Sequence, residues 1–216
     1  MHLAVDELSL VIDTGPDFRQ QMLREDITRL DAIIFTHGHK DHTAGLDDVR
    51  AYNFLQRMEM PVYAHQEVLQ QLRSEYAYAF DAQTYPGIPR LNLIGITEGP
   101  FMIFNTRIVP LPVLHLHLPV YGFRIGDFSY ITDANDIPPA TLEKLRGTSV
   151  LVLNALQQEK HVSHFNLEEA VAMAAKIGAG QTYLTHLSHK MGRHKAIAAK
   201  LPDGVALAYD GLSVNI

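Results

Sequence analysis

The chain has 216 residues, 12 histidines, no cysteine and a formal net charge of −6 at pH 7, with 47% hydrophobic and 19% charged residues. That length holds one or at most two domains around a sizeable core, and the composition excludes disordered and membrane classes. The absence of cysteine excludes disulfides, thiolate nucleophiles, Fe–S clusters and zinc fingers.

Taken in order, Leu8–Ile12 reads as a strand ending in the turn Asp13-Thr14-Gly15-Pro16, followed by a helix from Asp17 to Asp26. Asp31–Thr36 is a second buried strand, and Thr43–Arg57 reads as a helix with Leu46, Val49, Ala51, Phe54 and Leu55 on one face. A short strand at Pro61–Ala64 and a helix at Gln66–Tyr76 follow. The segment Tyr76–Arg90, with Tyr85 and Pro86, reads as a packed or dimer-contacting loop, with a lid as the alternative. The middle of the chain becomes antiparallel in character, with β-like runs at Leu91–Ile96, Phe101–Phe104, Arg107–Leu114, Val120–Ile125 and Phe128–Thr132. Then come a helix (Ala140–Leu145), a strand (Val150–Leu153), a helix (Leu167–Ile177), a strand (Thr182–Thr185), a helix (Arg193–Lys200) and strands at Val205–Tyr209 and Leu212–Val214. Amphipathic helices need a sheet face to cover, so a single α/β domain over residues 1–216, two sheets packed together with helices outside, is the expected architecture.

No apolar run approaches the roughly 18 residues of a membrane span, and Met1–Glu7 lacks the basic start and apolar core of a signal peptide, so a cytoplasmic protein without a membrane partner is expected. A net charge of −6 argues against a broadly basic nucleic-acid surface.

The strongest local signal is Thr36-His37-Gly38-His39-Lys40-Asp41-His42, directly after a buried strand. Where the backbone leaves a sheet, closely spaced side chains converge outside the core. Imidazole and carboxylate donors suit zinc, manganese or iron. All four groups reach one ion only with strain, so His37 and His39 fit one metal while Asp41 and His42 turn to a neighbouring one. The competing reading, a polar loop rich in histidine by composition alone, is weighed down by the ligand density and the strand-end position. His115 and His117 close a β run, and only one of the two is expected to face the cluster. Asp133 ends another strand; turn formation is the commoner role for such an aspartate, and bridging two cations about 3.5–4 Å apart is the functional one. His186 comes first after the Thr182–Thr185 strand, ahead of His189. His161 and His164 precede the Leu167 helix, where each alone fits an exposed helix-entry residue.

These motifs resemble the metallo-β-lactamase family. Thr36–His42 is similar to its H-x-H-x-D-H signature, which implies a four-layer αββα sandwich of α/β (α+β) class. Asp13-Thr14-Gly15, Leu114-His115, Pro119–Ile125, Thr132-Asp133-Ala134, Ser163-His164-Phe165, Thr185–His189 and Tyr209-Asp210-Gly211 fall in the order of the branch that includes the phosphonate-pathway cyclic phosphodiesterase. The resemblance covers essentially the whole chain. It implies that His37, His39 and His115 hold one metal, Asp41, His42 and His186 a second, and that Asp133 bridges them. It further implies His164 as the proton donor to the leaving group, with Asp41 counted beside it as catalytic, and Asp13 as support for the ligand loop. His117 is a bystander, and His2, His65 and His194 read as surface residues. Family members usually carry an earlier glycine-rich strand, often followed by zinc-binding cysteines; without it the first sheet is expected to expose an unpaired edge.

The chemistry implied is hydrolysis by metal-activated hydroxide, with two divalent ions (Mn2+ or Zn2+, with iron also compatible) and a small or cyclic phosphate ester as substrate. Alternatives are an RNA 3′-processing nuclease of the same fold, a thioester or lactone hydrolase, and a non-catalytic metal-binding protein. RNA is disfavoured by the acidic charge and the lack of a basic insertion. A homodimer is compatible with the sequence.

Overall fold

Strand pairing begins at the first residues. In the computed structural model, which describes residues 1–81 and 87–216, β1 (His2–Val5) lies antiparallel to β2 (Leu8–Ile12), with Leu3 opposite Leu10. The edge of β2 that the sequence left bare is therefore covered by β1, and the two-residue turn carries Asp6 at φ 53°. The described residues divide into two compact units, Met1–Thr106 and Arg107–Ile216.

In the first unit, β3 (Ala32–Ile34), β4 (Met60–His65) and β5 (Leu91–Ile96) follow β2 in parallel, in the order β1-β2-β3-β4-β5. Parallel strands are covered on both faces, which is why β3 is an unbroken apolar run with Ile33 and Ile34 fully buried. Leu91–Ile96 therefore belongs to a parallel ladder and not to the antiparallel section expected for it. The core gathers Val11, Ile33, Phe35, Leu46, Met60 and Leu72. Helices α1 (Phe18–Arg24), α2 (Lys40–Thr43), α3 (Arg50–Gln56) and α4 (Gln66–Glu75) complete the unit, with β6 (Phe101–Ile103) near its end.

The helix expected over Thr43–Arg57 is broken into α2, a 3-10 turn at Leu46–Val49 and α3. The break has a steric cause at Gly45. Its N–H donates to the Thr14 carbonyl at 2.8 Å, and a Cβ there would stand 2.3 Å from the Gly15 carbonyl oxygen and 2.7 Å from Phe18 Cβ. The chain leaves helical geometry to press this glycine against the turn after β2.

In the second unit, β7 (Thr106–His115), β8 (Leu118–Ile125) and β9 (Phe128–Ile131) are antiparallel neighbours, as expected for this stretch. β10 (Val150–Asn154), β11 (Gln181–Thr185) and β12 (Val205–Leu207) continue in parallel, giving the order β12-β11-β10-β9-β8-β7. Leu111, Ile131, Leu151, Leu153 and Leu184 form its core. α5 (Pro139–Lys144), α6 (Leu167–Ile177) and α7 (His194–Ala198) are its helices. α6 starts in a capping box, Asn166 with Glu169, and stops at Gly178 in the left-handed region, φ 73°.

Two expectations need correction. Leu212–Val214 forms no strand: these residues have no buried face, and Val214 is exposed. His2 and His65 are half-buried and not surface groups, His2 Nε2 lying 2.9 Å from Ser9 Oγ. Tyr76, at the start of the loop expected over Tyr76–Arg90, is buried with its hydroxyl donating to the Thr43 carbonyl at 2.8 Å, while residues 82–86, including Tyr85 and Pro86, lie outside the described residues. Among the described residues no helix is long and apolar enough to cross a membrane.

Gly45→Ala is expected to destabilise the protein by about 1–3 kcal/mol through overpacking against the Asp13-Thr14-Gly15 turn, read as a lower denaturant midpoint at unchanged slope.

Candidate metal centre

In the first unit the ligand segment is hung from one carboxylate. Asp13 stands at the end of β2 with φ 59°, buried, and accepts the Thr36 N–H on Oδ1 at 2.8 Å. Its Oδ2 accepts the Thr36 hydroxyl at 2.8 Å and faces His42 Nδ1 at 2.7 Å. A carboxylate only accepts, so the proton of this His42 contact sits on Nδ1, and in the neutral ring Nε2 carries the lone pair. The same reasoning extends one residue further. The Thr36 hydroxyl has spent its hydrogen on Asp13, so its oxygen accepts from His37 Nδ1, 2.9 Å away, which again leaves the lone pair on Nε2. Asp13 thus sets the metal-binding tautomer of two histidines, the second through Thr36.

His37 and His42 are buried, with ring centroids 4.3 Å apart; His39, 4.6 Å from His37, and Asp41 are exposed. Asp41 Oδ2 lies 3.5 Å from His42 Nε2, so the two groups assigned to one ion are neighbours. α4 braces the segment from behind: Gln71 Nε2 donates to the Gly38 carbonyl at 2.6 Å, and Lys40 pairs with Glu75 at 2.8 Å. A Cβ on Gly38 would fall 2.0 Å from Gln71 Oε1, so this position is closed to larger residues unless Gln71 moves.

In the second unit a matching cluster forms around Asp133, which follows β9 with φ 56° and is buried. Its Oδ2 accepts the Thr132 hydroxyl at 2.6 Å; its Oδ1 faces His164 Nε2 at 3.0 Å and His186 Nε2 at 3.3 Å. His186, directly after β11, also has positive φ, 57°. His115, the last residue of β7, is buried, with Nδ1 2.9 Å from the Ser163 carbonyl; a carbonyl only accepts, so Nε2 is again the lone-pair nitrogen. His117 is exposed in the following turn: the strand ends at His115, and Leu116 at φ 58° breaks the pleat, so the turn and not the strand alternation separates the two histidines. One donor atom from each of His115, Asp133 and His164 lies within 4.8 Å of the other two.

Sequence reasoning missed the braces. Asn154, at the end of β10, clamps Ala134 with its amide, accepting the Ala134 N–H at 2.8 Å and donating to its carbonyl at 2.9 Å. Its strand-end position is the same signal that drew attention to Asp133. Ser163 was placed only as part of a motif, yet its carbonyl orients His115 and its hydroxyl lies 3.0 Å from His164 Nδ1. His161, a site neighbour without a role at the sequence level, puts Nδ1 3.2 Å from His164 Nδ1; burial, then His164 and Lys190, hold its pKa below the usual imidazole value.

Residues 9–187 match the family model of the beta-lactamase superfamily domain. The chain belongs to the beta-lactamase superfamily. It has the metallo-β-lactamase fold of mixed sheets and helices, as the sequence implied. The crystal structure of a new diphosphatase from the PhnP family aligns with a TM-score of 0.92 at 36% identity, covering 100% of this superfamily member and 83% of that chain. The octanoyltransferase of Porphyromonas gingivalis is 38% identical over 209 residues, 96% of this chain but 42% of that protein, so the chain spans less than half the length of this relative. The probable metallo-hydrolase YhfI of Bacillus subtilis is 27% identical over 202 residues, 85% of this chain and 77% of that one.

A divalent ion is the group this superfamily membership implies, and the donor chemistry fits it. His37, His42 and His115 each have Nδ1 committed as a donor, so their Nε2 atoms are the ones left with a lone pair to offer an ion, and carboxylates stand beside them in both clusters. Asp13→Asn turns a three-donor acceptor into a group whose amide must face a donor. It is expected to weaken divalent-metal binding about 10- to 100-fold, measured by chelator competition, with little change in fold by circular dichroism.

Proposed function

We propose that this metal-dependent hydrolase is a phosphodiesterase acting on small or cyclic phosphate esters or diphosphates, its two units working as one hydrolase domain. The observation that carries the reading is the second unit's buried His164, with Nε2 3.0 Å from Asp133: a proton-bearing imidazole beside the carboxylate assigned as metal bridge. Similarity to a PhnP-family diphosphatase at 36% identity over the full chain supports the phosphate class.

In this reading His37, His39 and His115 hold one divalent ion, Asp41, His42 and His186 the other, and Asp133 serves both. Bound there, the ions, Mn2+ or Zn2+, supply Lewis acidity that brings a water's pKa toward neutrality and offsets phosphate charge. The chain's own groups do the rest. Asp13 and the Ser163 carbonyl keep the ligand imidazoles in the coordinating tautomer. Asp41, exposed beside His42, stands where an attacking water is oriented. His164 gives its Nε2 proton to the departing alkoxide, the general-acid role that a positioned imidazole serves.

Acyl transfer or thioester hydrolysis is the second reading, favoured by the 38% identity to part of an octanoyltransferase. A panel of bis(p-nitrophenyl) phosphate, a nucleoside diphosphate ester, a cyclic nucleotide, an octanoyl thioester and a precursor transfer RNA separates the readings. Phosphate-ester turnover at least about tenfold above thioester turnover is expected, and the reverse ranking refutes the proposal.

Metal-replete protein is expected to carry close to two equivalents of metal by elemental analysis, and Asp133→Ala to lose both ions together; loss of a single ion would remove the bridging assignment. His164→Ala should lower kcat about 100-fold or more on esters with poor leaving groups and far less on nitrophenyl esters, at unchanged metal content.

A further inference from the structure

Within the second unit, His164 is held from behind by a group that no part of the reaction described so far requires. Its Nδ1 faces two partners, the Ser163 hydroxyl at 3.0 Å and His161 Nδ1 at 3.2 Å. A hydroxyl rotates and serves as donor or acceptor, so Ser163 alone fixes neither the ring nor its proton. His161 is different, because its Nδ1 also receives the Ser163 backbone N–H at 3.4 Å. A backbone N–H only donates, so His161 Nδ1 is a lone-pair nitrogen. The hydrogen between the two Nδ1 atoms therefore belongs to His164; its Nε2 faces the Asp133 carboxylate, which only accepts, so the Nε2–H on that side is the proton the ring can give up.

We infer that His161 is the positioning residue of His164: through the Nδ1 to Nδ1 hydrogen bond it fixes the ring orientation that presents the Nε2–H to the leaving group, and it keeps the hydrogen on Nδ1 once the Nε2 proton has been given up. Packing alone does not do this. His164 stacks on His186 at 5.1 Å and 20° between planes, which holds the ring's plane but leaves it free to exchange Nδ1 for Nε2 by a half-turn; the contact with His161 distinguishes the two. The Ser163 N–H bond marks His161 Nδ1 as an acceptor, and burial, then His164 and Lys190, lower the pKa of His161, which favours that form. His161 itself is half-buried, so its replacement leaves the core intact. The inference rests on the proposed role of His164 as proton donor.

The test uses zinc-loaded protein, the variants His161→Ala and His161→Asn, and a phenyl and a p-nitrophenyl ester of the same phosphodiester. Asparagine places an oxygen acceptor close to the position of Nδ1. His161→Ala should lower kcat on the phenyl ester about 10-fold or more relative to its effect on the nitrophenyl ester, with KM changed less than about twofold and metal content unchanged. His161→Asn should recover most of the loss. In the His164→Ala background, His161→Ala should have no further effect. Equal losses on both esters, alanine and asparagine indistinguishable, or additive losses in the double variant would overturn the inference. If wild-type protein hydrolyses neither ester, the phosphodiesterase reading falls and the inference is judged by long-range 1H–15N spectra alone. There His161→Ala must alter the His164 ring nitrogen pattern and His161→Asn must restore it; an unchanged pattern refutes it.

Discussion

One buried carboxylate, Asp13, governs the first unit's ligand segment. It sits where β2 ends, collects three donors from residues 23 and 29 positions further along the chain, and by accepting all three decides which nitrogen of His37 and His42 is available for coordination. The neighbouring backbone is tied in as well, with Asp13 N–H donating to the Ile34 carbonyl at 3.0 Å and Thr14 N–H to the His42 carbonyl at 2.7 Å. Gly15 and Gly45 lie against this junction because side chains there would collide with backbone oxygens. Removing the carboxylate would leave buried donors without an acceptor, which costs about 1–3 kcal/mol for each such group and releases the histidine rings.

The second unit solves the same problem with different parts. Asp133 is fixed by the hydroxyl of its own neighbour, Thr132, and the residue after it is clamped by Asn154. His115 is oriented by a backbone carbonyl, and His164 by a serine and a second histidine. Asp13, His115, Asp133 and His186 stand at or just after strand ends, and three of these, Asp13, Asp133 and His186, hold positive φ. Such backbone is costly for residues with a Cβ, by about 1 kcal/mol or more, and persists where surrounding contacts over-determine it. The strain turns each side chain sharply out of the sheet edge instead of along it.

The positions of the buried strands were readable in the sequence because such strands need uninterrupted apolar runs, as Ala32-Ile33-Ile34 and Val150–Leu153 show, whereas the parallel pairing of Leu91–Ile96 was not. The breakdown of the Thr43–Arg57 helix was not, since it depends on how closely Gly45 approaches a turn 30 residues earlier. Likewise β1 escaped notice: a four-residue strand with a single buried side chain, Leu3, carries no periodicity to detect.

By itself the sequence determined the donor chemistry: twelve histidines without a cysteine, grouped at strand ends with aspartates, leave nitrogen and oxygen ligands and hard or borderline divalent ions. It also carried family membership, because H-x-H-x-D-H and the later motifs resemble those of the family and lie in the same order along the chain. Only the tertiary structure decided which atom of each histidine does the work. That choice depends on what faces Nδ1, a carboxylate 29 residues away for His42 and a carbonyl 48 residues away for His115, and no local pattern encodes a hydrogen-bond partner so distant in the chain.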